Sequence, residues 1–134
     1  MGQTVHYFGK NGHAVAIKLV GNLIVALEIE ALTEGLVLAE KAGLDLNTVM
    51  EVVKVADFRS PLLVSNGQNI LKRDFSTSFA LKLMLKGRRP HREICWKSAV
   101  THSGAAHCPE KSGIGVALGF EKENASAVIK ARSI

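Results

Sequence analysis

Lys18 and Asn22 have the strongest claim to chemistry in this chain. Four residues apart, they share one face of any helix that contains them, and their neighbours Val15, Ile17, Leu19, Val20, Leu23 and Ile24 are apolar. Burying an ammonium and an amide costs on the order of several kcal/mol unless they are paired or face a cleft. Two readings of the pair stand. In one, Lys18 runs along apolar surface to reach water and Asn22 satisfies nearby backbone. In the other, both line a cleft, where a partly desolvated amine gives or takes the proton of a substrate hydroxyl whose oxygen the amide holds.

The remaining candidates are weaker. Lys86 ends an apolar run that begins at Phe79, where a cation can reach a phosphate or carboxylate, but helix C-termini attract lysine for electrostatic reasons alone. Cys95, His102, His107 and Cys108 carry zinc-binding atoms at irregular spacing without a C-x-x-C element, so no metal site is expected. Gly9, Gly12 and Ala14 precede a helix without the G-x-G-x-x-G spacing that cradles a pyrophosphate.

The elements that must position these residues read as helices. Val5–Phe8, a β-branched and aromatic run closed by glycines, reads as one strand. From Ala14 to Lys41 apolar residues recur at helical spacing, first on all sides and then, once Glu28, Glu30 and Glu34 appear, on one face. Gly43 stops this long helix and Asp45 caps a second of about ten residues. Ser60-Pro61 starts a third, running to about Lys72. Ser76 or Thr77 caps a fourth that ends near Gly87. Gly87 to Gly113 holds no sustained period, and a Gly119 turn precedes a last short helix or docking segment at Ala125–Lys130.

Composition narrows the classes further. A chain of 134 residues with 47% hydrophobic and 22% charged residues is one folded domain with a packed core. Two cysteines and no signal-peptide pattern point to a reducing, cytoplasmic setting. The longest apolar stretch, Ala14–Leu27, is interrupted by Lys18 and Asn22 and falls short of the roughly twenty residues of a membrane span. The net charge of +5 belongs to the tail, because residues 1–86 are near neutral. The basic run Gly87–His91 lacks aromatics that stack bases, so neither nucleic acid nor membrane is expected as a partner.

Three linked motifs go beyond composition. Gly9, Gly12, Ala14, Lys18, Gly21 and Asn22 follow the spacing G-x-x-G-x-G-x-x-x-K-x-x-N-N with the third Gly and first Asn replaced. Glu30-Ala31-Leu32 through Ala39 is followed by Ala42-Gly43-Leu44-Asp45, and Asp74-Phe75 by Phe79-x-x-x-Leu83-x-x-Lys86, with Gly87 where that pattern usually has Asp. In order and spacing these motifs resemble the C-terminal domain of the β-hydroxyacid dehydrogenases, the family of 3-hydroxyisobutyrate dehydrogenase, tartronate semialdehyde reductase and glyoxylate/succinic semialdehyde reductase.

The resemblance implies an all-α, 6-phosphogluconate-dehydrogenase-C-terminal-like domain on one long central helix. Residues 1–12 would then be the remnant of the last strand and turn of a missing Rossmann domain, and 13–134 the substrate and dimerisation domain. It implies Lys18 as the catalytic lysine, Asn22 as the substrate-binding amide, and Lys86 with Phe79 on the cofactor side. The implied reaction is hydride transfer between NAD or NADP and a short β-hydroxyacid or its semialdehyde, by a homodimer, with the isolated chain inactive for want of its nucleotide fold. The stretch from Gly87 to about Gly113 departs from the family, through a shifted reading frame or through divergence, before Asn124-Ala125-Ser126-Ala127-Val128-Ile129 returns to it. The alternative is a non-catalytic helical dimerisation or binding module in which Lys18 and Asn22 are vestigial.

Overall fold

The computed structural model describes residues 4–86 and 108–131, without the side chains of 85, 86 and 108–112. Helix α1 spans His13–Lys41, 29 residues. It contains no proline, and leucine, alanine and glutamate support it throughout. Gly12 precedes it at φ 97 without a side-chain cap, and the His13 Nδ1 lies 2.7 Å from the Phe8 carbonyl oxygen. At the other end Gly43 turns left-handed at φ 77. The Gly43 amide donates to the Glu40 carbonyl and the Leu44 amide to the Ala39 carbonyl, both at 3.0 Å, a Schellman closure that satisfies the last carbonyls of α1.

The next two helices begin on their own caps. Helix α2, Leu46–Val55, starts where the Asp45 carboxylate accepts from the Thr48 amide at 2.9 Å and its hydroxyl at 2.7 Å. Helix α3, Pro61–Leu71, starts where Ser60 Oγ accepts from the Leu63 amide at 3.1 Å. The same hydroxyl donates to Glu28 at 2.9 Å, so the cap of α3 also ties it to α1. All three helices fall within a residue or two of the spans read from the sequence.

Three expectations are corrected. Val5–Phe8 forms no strand and is exposed, because an extended segment needs a neighbouring strand for its backbone and the described residues offer none. Helix α4 spans Leu81–Lys86, later than expected. Of the two expected caps, Thr77 donates its Oγ to the Lys122 carbonyl instead, and Ser76 sits in a turn in which its N–H donates to Asp74 at 3.0 Å. The third correction is α5, Cys108–Ala117, whose first residues fall in the stretch that showed no period. After it Gly119 turns left-handed at φ 91 and a 3₁₀ helix covers Ala125–Ala131.

The core lies along the middle and C-terminal half of α1. Leu32 and Leu36 pack with Met50 of α2 and Ile70 of α3. Ile29 packs with Leu81 and Met84 of α4 and with Ala125 and Val128 of the 3₁₀ helix. Between residues 13 and 28 only Leu19 is buried; Val25 and Ala26 pack against the Ile29 cluster and Glu28 bonds Ser60, whereas most residues before them are exposed. No helix among the described residues is long and apolar enough to cross a membrane.

Candidate functional site

At about 100° per residue, Lys18 and Asn22 project from the same side of α1 as Ile29, Leu32 and Leu36, about three and two turns before the core begins at Ile29. Lys18 is exposed and Asn22 half-buried. Neither makes a hydrogen bond or ion pair among the described residues. The core-facing side of the helix thus continues past the body, and there it presents an ammonium and an amide instead of leucines. No described groove contains them. An open groove of about 440 Å³ lies instead along α3, lined by Arg59, Ser60, Val64, Gln68 and Asn69.

The other sequence-predicted residues fall as follows. Lys86 closes α4, and its side chain lies outside the described residues. Phe79, immediately before α4, is half-buried and packs against the cluster of Ile29, Leu81, Met84, Ala125 and Val128. Cys95, His102 and His107, the Cys108 side chain, and the basic run at Gly87–His91 all lie outside the described residues. Among the described residues no His, Cys, Asp and Glu group is arranged to hold a metal.

Sequence reading missed a polar joint that sets Phe79 and α4. The buried Asn124 side chain accepts from Ser78 Oγ at 3.1 Å and from the Phe79 amide at 3.3 Å. Its amide donates to Asn66 of α3 and to Ser126, both at 3.0 Å. Backbone bonds continue the joint, from Ala125 N to Phe79 O at 2.8 Å, Leu81 N to Glu123 O at 2.9 Å and Asn124 N to Phe75 O at 3.1 Å. Beside it Lys130 lies over the rings of Phe75 and Phe120, at 4.3 and 4.7 Å, and pairs with Glu123 at 2.6 Å. No local pattern announces either feature, since Asn66 and Asn124 are 58 residues apart.

The described residues define an all-helical domain whose long central helix carries a lysine and an amide at its open end. Residues 12–131 match the family described as NAD-binding of NADP-dependent 3-hydroxyisobutyrate dehydrogenase, and the chain belongs to that family. It is 31% identical over 131 residues to glyoxylate/succinic semialdehyde reductase 2, chloroplastic, of Arabidopsis thaliana, covering 98% of this chain and 37% of the relative. It is 29% identical over 131 residues to 2-hydroxy-3-oxopropionate reductase of Escherichia coli, covering 98% of this chain and 45% of that protein. A 3-hydroxyisobutyrate dehydrogenase structure from Mycobacterium tuberculosis superposes with a TM-score of 0.85 at 23% identity, over 96% of this chain and 46% of that one. That from Salmonella typhimurium gives 0.83 at 24%, over 89% and 42%. These relatives are named reductases and dehydrogenases, and the chain spans less than half of their length.

Proposed function

We propose that this chain is the proton-transfer domain of an enzyme that moves a hydride between NAD(P) and a short β-hydroxyacid or its semialdehyde. The observation that carries the proposal is the Lys18–Asn22 pair, one helical turn apart on the open end of α1 and without a partner among the described residues, inside a match that runs from residue 12 to 131. An ammonium paired with a carboxylate of its own fold is tied to that partner, whereas Lys18 has none among the described residues and is available to a bound substrate.

In reduction the Lys18 ammonium passes its proton to the carbonyl oxygen as that oxygen becomes a hydroxyl; in oxidation the amine takes it back. Asn22 donates to the same oxygen and fixes its place beside Lys18. NAD(P), when bound, supplies or accepts the hydride. What the chain offers toward it is Lys86 at the end of α4, with Phe79 packed behind that helix and holding its start. Gly9-x-x-Gly12-x-Ala14 gives no phosphate cradle, so most of the dinucleotide is held by a Rossmann domain of the kind that precedes this unit in the family. That domain also supplies the second wall of the cleft over Lys18. The fold in this reading is 6-phosphogluconate-dehydrogenase-C-terminal-like, and the protein is a cytoplasmic homodimer.

The test joins a dinucleotide-binding domain from a family member to the N-terminus and compares turnover with and without Lys18→Ala. Loss of roughly 10²–10⁴-fold in kcat/KM is expected. Unchanged turnover would leave Lys18 and Asn22 vestigial and the chain a helical binding module. Turnover of any β-hydroxyacid by the 134-residue chain alone would remove the need for the second domain.

A further inference from the structure

Two of the six asparagines in the chain are followed by glycine, at Asn11-Gly12 and Asn66-Gly67. Asparagine is thermolabile because the next main-chain nitrogen can attack its side-chain carbonyl carbon, and a following glycine leaves that approach unhindered. The other four precede Leu23, Thr48, Ile70 and Ala125, whose side chains crowd it. The fold treats the two glycyl pairs differently. Asn66 lies inside α3, where its Nδ2 donates to the Leu62 carbonyl and its Oδ1 accepts from Asn124, both at 3.0 Å, and a Cβ on Gly67 would stand 2.3 Å from Met50 Cε. The Gly67 amide is engaged in the helical ladder. Asn11 is exposed in the turn before α1, closed only by the His13 amide on the Lys10 carbonyl at 3.2 Å. Neither its side chain nor the Gly12 amide makes a hydrogen bond among the described residues, and no atom lies within 4 Å of the Cβ position at Gly12.

We infer that Asn11-Gly12 is a site of spontaneous modification, deamidated in the folded chain through a cyclic imide, while Asn66-Gly67 is held intact. The Gly12 nitrogen gives its proton to base and bonds to Asn11 Cγ; the bond from Cγ to the side-chain nitrogen breaks, and ammonia leaves. Water then opens the five-membered ring on either side of the Gly12 nitrogen. Attack at Cγ gives aspartate, and attack at the main-chain carbonyl gives isoaspartate, whose backbone runs through Cβ and Cγ. One water is consumed, one ammonia is released and nothing is oxidised or reduced. Helix α1 has no acidic residue in its first turn and no side-chain cap, so either product sets a carboxylate where the helix dipole favours one. Isoaspartate also adds a carbon to the main chain inside the turn. The bonds from the His13 amide to the Lys10 carbonyl and between His13 Nδ1 and the Phe8 carbonyl then lose their register. The modification therefore acts on the connection between residues 4–10 and the helix that carries Lys18.

The test incubates the 134-residue chain in mildly alkaline buffer, folded and in urea, cuts it with pepsin in acid, and separates and weighs the peptides. In the folded chain the Asn11 peptide is expected to gain the mass difference between OH and NH2 and to split into two isomers of equal mass. It should convert at least about tenfold faster than the Asn66 peptide, which reacts only when α3 opens. In urea the two should convert at similar rates, because the protection of Asn66 belongs to the fold. Conversion should quicken as pH rises, since the Gly12 amide must lose its proton, and Asn11→Gln should abolish it at that position. An Asn11 that stays intact in the folded chain, whatever it does in urea, overturns the proposal. Equal conversion of Asn11 and Asn66 in the folded chain overturns the selectivity ascribed to the fold, and aspartate without isoaspartate overturns the imide route.

Discussion

The Asn124 amide donates to the side-chain oxygen of Asn66 at 3.0 Å across 58 residues of sequence. Asn124 is 3% exposed, and its other bonds reach Ser78, Ser126 and the Phe79 amide. Removing the side chain strands several buried groups at once, each costing about 1–3 kcal/mol, in part relieved by rearrangement. Asn124→Ala should therefore destabilise the chain by about 3 kcal/mol in urea unfolding, and Asn66→Ala by about 1 kcal/mol. The double variant should cost less than the two together, because they share one bond. Additive costs would show that the two amides act independently.

How far the sequence could be read follows from where each signal lives. Helices α1, α2 and α3 were legible because their stops are local: Asp45 and Ser60 lie next to the helices they cap, and Gly43 next to the one it ends. The late start of α4 was not, because Ser78 and Thr77 are bound by Asn124 and the Lys122 carbonyl, 46 and 45 residues away. Lys18 and Asn22 were legible as a pair because helical spacing alone puts them together, but no spacing could tell how much of their surroundings this chain provides. Val5–Phe8 shows the limit from the other side: β-branched residues favour an extended chain, yet pairing decides whether a strand forms.

Gly67 of α3 is buried where α2 passes closest. A Cβ there would stand 2.3 Å from Met50 Cε and 2.5 Å from its Sδ. Met50 is itself 2% exposed, so its flexible end has little room to move. Alanine is the better helix former by about 1 kcal/mol, but overpacking costs about 1–3 kcal/mol. Gly67→Ala should lower stability in the natural chain and raise it in a Met50→Ala background. A gain in both would mean that Met50 moves aside freely.

Lys18 separates stability from chemistry. It is exposed and makes no bond among the described residues, so Lys18→Ala should change the unfolding free energy by less than about 0.5 kcal/mol. The same substitution abolishes most turnover in the two-domain protein if the proposed role holds. A large stability loss, measured by urea unfolding of the 134-residue chain, would mark Lys18 as a structural residue instead.

Asp45 makes part of the stability depend on acid. The Thr48 hydroxyl, the Thr48 amide and the Asn47 side chain all donate to its carboxylate, and they hold its pKa below the ordinary 3.8. The folded value is the lower one, so the stabilisation is complete above the unfolded value of 3.8 and fades as pH falls through the folded value. Asn caps a helix as well as Asp does but does not titrate. Asp45→Asn should therefore stay close to the natural chain at pH 7 and lose less stability than it does as the solution is taken below 3.8. Asp74, lowered by its hydrogen bonds to Ser76, adds a slope of the same sign to both proteins and cancels in the comparison. Urea midpoints of the two proteins that fall in parallel through the acid range would show that the cap of α2 contributes nothing to acid sensitivity.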